Sequence, residues 1–101
     1  MFNKLKQIQE LRKQAKELQN NLSAETITSK SEQGLVKVTI DGNHKVKNVE
    51  IDNNLLNIES KEKLENGLQD AYNKAADEVQ KMMARKVQSG DIKMPNIPGF
   101  N

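Results

Sequence analysis

The stretch Leu35–Gly42, LVKVTIDG, constrains the fold most, because it is the clearest β-strand pattern in a chain that otherwise looks helical. Val36, Val38 and Ile40 recur at every second position, which places them on one face of a strand. The Asp41-Gly42 pair that follows is typical of a hairpin turn. We therefore expect a short antiparallel sheet in the middle of the chain.

Two neighbouring runs rich in Val, Ile and Thr complete this sheet, each bounded by a turn that contains glycine. Strands are predicted at about 25–31, 35–41 and 45–51, as a three-stranded antiparallel meander. In the third strand Val49 and Ile51 share a face, but Val46 falls on the opposite one. Either a β-bulge shifts the phase of this strand, or Val46 packs on a second surface.

The N-terminal segment has the periodicity of an amphipathic helix over residues 2–22. Its apolar residues are spaced by three or four positions and comprise Phe2, Leu5, Ile8, Leu11, Ala15, Leu18 and Leu22. Two heptads are too few for an independent coiled coil, so the stripe is expected to lie on another element. Lys6/Glu10 and Lys13/Glu17 are spaced as helix-surface ion pairs.

A second, longer helix is predicted over residues 60–88, with Ser60 as its N-cap and Gly90 as its C-terminal stop. Its apolar stripe comprises Leu64, Leu68, Tyr72, Ala75, Val79, Met82 or Met83, and Val87. Such a helix is roughly 40 Å long at 1.5 Å per residue, which is longer than the surface that a sheet of three short strands offers for packing. We expect its far end to project or to meet another chain.

These patterns predict an α+β fold with α-β-β-β-α order and long protruding helices. A single domain is expected over residues 1–90, and the Pro- and Gly-containing residues 91–101 are predicted to be a flexible tail. Only 35% of the 101 residues are hydrophobic and 30% are charged, so the core of one chain is thin. We therefore expect an oligomer.

The composition also excludes several classes of protein. The chain has no cysteine, so disulfides and thiolate metal sites are excluded. The N-terminal segment lacks the apolar core of a secretory signal, and no run approaches a membrane span, so we expect a cytoplasmic protein without a membrane partner.

Residues suited to catalysis are scarce. His44 is the only histidine and lies in a predicted turn, where a solvated side chain is expected. Phosphate-binding glycine loops and a nucleophile elbow are absent, and the acidic residues are scattered rather than set at metal-ligand spacing. The sequence therefore predicts no enzyme, no cofactor, no metal site and no small-molecule substrate.

Positive charge collects at the outer parts of the two helices, although the net charge is only +2. Basic clusters of this kind neutralise phosphates in nucleic acids, but a lysine-rich helix face is also commonly just solvated. Charge alone leaves both interpretations open. With only 3% aromatic residues, stacking platforms for single strands are disfavoured, so a bound nucleic acid would be a duplex.

Four segments together resemble the YbaB/EbfC family of bacterial nucleoid-associated proteins. They are GLVKVTIDGNHKVKNVEID at 34–52, Leu55-Leu56, AYNKAADEV at 71–79 and MPNIPGF at 94–100. The resemblance implies a homodimer whose sheets form a body and whose helices protrude as tweezer-like arms. It also implies binding of double-stranded DNA with little sequence preference, at the nucleoid, with effects on nucleoid organisation and gene expression.

In this family DNA contact is assigned to the protruding first and last helices. Carried over to this chain, the resemblance implies a DNA-binding role for Lys4, Lys6, Arg12, Lys13, Lys16, Lys81, Arg85 and Lys86. The alternative is a dimeric scaffold or protein-interaction module that does not contact DNA directly, with its helices and tail engaging another protein. The modest net charge favours that alternative.

Overall fold

The computed structural model describes residues 2–91. Its elements are α1 (Phe2–Ser23), β1 (Thr26–Lys30), β2 (Val36–Asp41), β3 (Val46–Ile51) and α2 (Lys61–Ser89), with short 3₁₀ turns at Asn53–Leu55 and Ile58–Ser60. The predicted α-β-β-β-α order and the antiparallel three-stranded sheet are confirmed. Residues 92–101, which make up most of the predicted tail, lie outside the described residues.

The sheet has the order β1-β2-β3, and its central strand β2 supplies the core. Val36, Val38 and Ile40 are buried on the face that α2 covers, as the two-residue period predicts. The opposite face is polar: the Thr28 and Thr39 hydroxyls lie 2.6 Å apart across β1 and β2. One face of the sheet is thus a core and the other is water-compatible.

A β-bulge in β3 resolves the phase of Val46. Val49 pairs with Val38 and Val46 pairs with Ile40, with the register shifting between Thr39 and Ile40. The bulge therefore returns Val46 to the core side of the sheet. Val46 and Val49 nevertheless remain 52% and 41% exposed, because α2 packs mainly on β1 and β2.

Helix α2 lies close against the sheet because small residues form the centre of its packed face. The fully buried positions include Ala71 and Ala75, and a Cβ atom added at Gly67 would lie only 2.9 Å from Val36 Cγ2. The larger Leu64, Leu68 and Tyr72 of the predicted stripe flank this centre and are half-buried. Large side chains at the centre would hold the helix axis farther from the strands.

The two ends of α2 differ from each other in how they are capped. Gly90 adopts the left-handed conformation at φ +81°, and its N–H donates to the carbonyls of Lys86 and Val87, as expected of a C-terminal stop. Ser60 precedes the helix as predicted, but its hydroxyl makes no capping bond. Its backbone N–H instead donates to Asn57 Oδ1 at 2.8 Å, because Ser60 already belongs to the preceding 3₁₀ turn.

The far end of α2 projects less than its length predicts. Packing against the sheet continues as far as Met82, and the Lys86 ammonium then forms an ion pair with Glu25, in the connection between α1 and β1. Only the last turn is free of these contacts, with Val87 42% exposed. Helix α2 is therefore part of the body over most of its length.

Helix α1 behaves differently and protrudes from the body. Residues 3–10 are all exposed, and the first buried side chain along the helix is Leu22, in its last turn. A 22-residue helix is about 33 Å long, and the molecule measures 63 × 27 × 22 Å. The molecule is thus elongated, and within residues 2–91 the hydrogen bonds from α1 to the body lie near its C-terminal end.

Candidate nucleic-acid interface

The protruding helix is attached to the turn between β2 and β3. The carbonyl of Leu22 accepts from the Gly42 N–H at 2.9 Å, and the carbonyl of Gln19 accepts from Asn43 Nδ2 at 3.0 Å. A Cβ atom at position 42 would lie 2.8 Å from the Leu22 oxygen. Glycine is therefore required here so that the turn can approach the helix closely.

The turn itself departs from the simplest expectation for an Asp-Gly hairpin. The residue with positive φ is His44, at +64°, and not Gly42. This is the pattern of a longer hairpin loop that ends in a left-handed residue. The His44 side chain is exposed, as predicted, and Gly42 serves the contact with α1 instead.

Asp41 holds the turn in shape from within. Its Oδ1 atom accepts from the backbone N–H groups of Asn43 at 2.8 Å and Lys45 at 2.9 Å, and the Lys47 ammonium lies 3.5 Å from Oδ2. Burial of the carboxylate raises its pKa, but these hydrogen bonds and the Lys47 charge outweigh burial and leave the pKa of Asp41 below its usual range. The group is therefore ionised at neutral pH.

All five predicted basic residues of α1 are exposed, and within residues 2–91 none of them forms an ion pair. The predicted ion pairs Lys6/Glu10 and Lys13/Glu17 do not form. A lysine that precedes a glutamate by four residues is the weaker order for such a pair, because it opposes the helix dipole. Their ammonium groups are left available for an external anion.

Three of these five residues lie on two different faces of α1. Lys6 and Lys13 lie two turns apart on one face, where Gln9 and Glu10 line the same shallow groove. The Gln9 side chain could donate to a phosphate, whereas the Glu10 carboxylate would oppose one, and neither was among the predicted site residues. Lys4 instead shares the face of Leu11 and Leu18, at the outer end of the apolar stripe.

The three predicted basic residues of α2 are more closely balanced by acids. Lys81 Nζ lies 3.7 Å from Glu78 Oε1, and Lys86 is paired with Glu25. Arg85 is exposed and makes no ion pair in the part of the chain that the structure describes. The structure thus groups five predicted residues on one free helix, and of the three on the packed helix it places two, Lys81 and Lys86, beside carboxylates.

A cleft lies between the β1–β2 turn and α2, and the Asp70 carboxylate in its wall already has partners. Asp70 Oδ2 accepts from the Glu32 N–H at 2.7 Å and lies 3.2 Å from Lys74 Nζ. The Glu32 hydrogen bond first, and the Lys74 ammonium with it, outweigh burial and lower the pKa of Asp70. This carboxylate therefore fastens the turn to α2.

A metal-binding cluster and a membrane-spanning helix are both absent from residues 2–91. No cluster of three or more His, Cys, Asp or Glu side chains there is placed to hold a metal ion. In the same residues, neither helix combines the length and apolarity that crossing a membrane requires.

The fold matches a known crystal structure, that of the uncharacterized protein HP0035 from Helicobacter pylori. The two chains are 27% identical, with a TM-score of 0.62, and the match covers 83% of this chain and 86% of that one. Residues 1–91 also match the YbaB/EbfC DNA-binding family. This match includes both helices and all three strands, so the chain belongs to the YbaB/EbfC DNA-binding family.

Proposed function

We propose that the protein binds double-stranded DNA with little sequence preference through the basic side chains of α1, acting at the nucleoid on its organisation and on gene expression. The observation that carries this proposal is the free state of the charges on α1. Five basic residues are exposed without an ion pair in residues 2–91, on a helix whose hydrogen bonds to the body come from Gln19 and Leu22, near its C-terminal end. Membership of a DNA-binding family supplies the class of partner.

The expected mode of binding is contact with the phosphate backbone. Lysine ammonium groups neutralise phosphates and release condensed counterions, which supplies affinity that does not depend on sequence. Lys6, Gln9 and Lys13 on one face of α1 suit this role, since phosphate contacts position a protein without reading bases. Lys81, Arg85 and Lys86 are proposed as lesser contributors, because Glu78 and Glu25 already compensate two of them.

We further propose that the active form is a homodimer with the body at its centre. Apolar side chains are exposed at Leu5 (58%) and Ile8 (49%) of α1, and at Val46 and Val49 of β3. Uncovered apolar rows of this kind are typical of subunit interfaces. A dimer would present two α1 arms to one duplex, which adds affinity without any new type of contact.

The experiment is a titration of random-sequence duplex DNA at several salt concentrations, with the particle mass measured in parallel. We expect saturable binding whose log affinity falls by about 0.9 for each phosphate neutralised per unit of log salt. The variant Lys13→Ala with Lys16→Ala should weaken binding about tenfold and keep the dimer mass. Affinity that is indifferent to salt would contradict the electrostatic mechanism.

A matched control is Lys30→Ala with Lys63→Ala, which removes the same charge from exposed positions of the body that, like those of α1, form no ion pair within residues 2–91. This control should change affinity by less than about twofold, since only general charge is lost. Equal losses in both double variants would show that net charge, and not α1, determines binding. A dimer that fails to bind DNA even at low salt would favour the scaffold alternative.

A further inference from the structure

We infer that the β2–β3 turn, residues 41–45, is a socket that sets the direction of α1, so that Gly42 and Asn43 are positioning residues for DNA binding. This inference rests on the proposed DNA-binding role of α1. Gly42 and Asn43 carry no positive charge, so they affect DNA binding only through the helix that they hold in place.

The contacts between turn and helix are specific at two levels of α1. The Gly42 N–H bonds to the carbonyl of Leu22, in the last turn of the helix. The Asn43 amide bonds to the carbonyl of Gln19, one turn earlier. Two hydrogen bonds at different heights along an axis restrict its tilt, which a single bond would not do.

The socket is rigid because its own backbone is held from inside. Asp41 is fully buried and accepts from the N–H groups on either side of the tip of the turn, at Asn43 and Lys45. Leu22 is 6% exposed and packs where a side chain at position 42 would otherwise lie. Any change in the turn is therefore transmitted to the base of α1.

The length of α1 amplifies small changes at the socket. Lys4 lies roughly 27 Å from Leu22 along the helix axis, at 1.5 Å per residue. A tilt of about 10° at the socket moves Lys4 by roughly 5 Å, which exceeds the length of a hydrogen bond to phosphate. A helix that samples many tilts holds its lysines in the binding geometry for only a fraction of the time, and apparent affinity falls by that fraction.

The experiment compares Asn43→Ala with His44→Asn. The first removes the bond to Gln19, and the second alters an exposed side chain of the same turn while keeping a residue that tolerates positive φ. Because the chain has no cysteine, spin labels can be placed at Glu10→Cys on α1 and Glu62→Cys on α2. Labelled chains are diluted with unlabelled ones, so that only distances within one chain are measured, in the absence of DNA.

We expect Asn43→Ala to broaden or shift the distance distribution and to weaken binding of random duplex DNA about fivefold, with His44→Asn like wild type in both respects. Gly42→Ala should act in the same direction and more strongly, if the variant folds. An unchanged distance distribution in Asn43→Ala would overturn the socket. A changed distribution with unchanged affinity would overturn its role in DNA binding, whereas a wild-type protein that binds no DNA would refute the proposed function itself.

Discussion

The two helices have similar amphipathic sequences, but α2 packs against the sheet and α1 protrudes from the body. Helix α2 buries Ala71, Ala75, Val79 and Met82 against the sheet, whereas α1 leaves Leu5 and Ile8 about half exposed. The helix that packs has glycine and alanine at the centre of its apolar face. The helix that protrudes has mostly leucine and isoleucine in its stripe, with Ala15 between them, and within residues 2–91 its hydrogen bonds to the body come from Gln19 and Leu22.

This difference shows that a helix is available to bind a partner only where its charged and apolar side chains do not already have partners within the fold. On α2 the basic residues Lys81 and Lys86 sit beside Glu78 and Glu25, in ion pairs that belong to the body. On α1 the basic residues have no such partner within residues 2–91. The packed helix thus maintains the fold, and the protruding helix is free to bind.

The largest effect is expected from breaking the packed region. Ile40→Ala should lower the free energy of unfolding by about 3 kcal/mol, because it removes a fully buried side chain between β2 and α2. Ile8→Ala makes the same change at an exposed position of α1. It should lower the free energy of unfolding of a single chain by less than about 0.5 kcal/mol. Urea unfolding at low protein concentration measures both.

The same pair of variants tests the proposed dimer. At high protein concentration Ile8→Ala should become more costly if α1 contributes to the subunit interface, because unfolding is then coupled to dissociation. If Ile8→Ala lowered the free energy of unfolding as much as Ile40→Ala at every protein concentration, other residues of the same chain would have to cover the apolar side chains of α1. That result would contradict the protruding helix.

A smaller effect should separate basic residues that stabilise the fold from those proposed to bind DNA. Lys86→Ala breaks the partly buried pair with Glu25 and should destabilise the fold by about 1 kcal/mol, with a weaker effect on DNA affinity than Lys13→Ala. Arg85→Ala, next to it in sequence, should change stability by less than about 0.5 kcal/mol. Equal stability for the two variants would show that the Glu25 pair contributes nothing to the body.

The smallest effect concerns acid pH. The pKa values of Asp41 and Asp70 are lowered in the folded state, so both carboxylates add stability above the unfolded pKa, near 3.9, and this stability is lost as pH falls through the lower folded values. Asp41→Asn should therefore lose less stability than wild type between about pH 4 and pH 2. Urea midpoints measured across this range provide the test, and parallel curves for the two proteins would contradict it.

Local signals were enough to predict the order of elements and the chemistry of the sheet. The alternation of Val36, Val38 and Ile40 fixed the core face of β2, and Gly90 marked the end of α2, because both depend on residues close in sequence. Which helix covers the sheet was not predictable from its large apolar residues. The close fit of α2 depends on small residues such as Gly67 and Ala71, which the predicted apolar stripe did not include.

The candidate site shows the same division between local and distant information. The basic residues of α1 were found because charge is visible in sequence. The pairing of Lys86 with Glu25 spans 61 positions, and the fit of Gly42 against Leu22 also joins distant segments. Neither contact leaves a local pattern, so the sequence could not show that Lys86 is engaged or that Gly42 serves α1 as well as its own turn.

DNA binding through α1 is tested most directly by the slope of log affinity against log salt on random duplex DNA, measured for Lys13→Ala with Lys16→Ala and for Lys81→Ala with Arg85→Ala. We expect the α1 variant to lose about one unit of slope for each lysine that contacts phosphate, while the α2 variant stays close to wild type. A lower slope in the α2 variant together with a wild-type slope in the α1 variant would contradict DNA binding through α1.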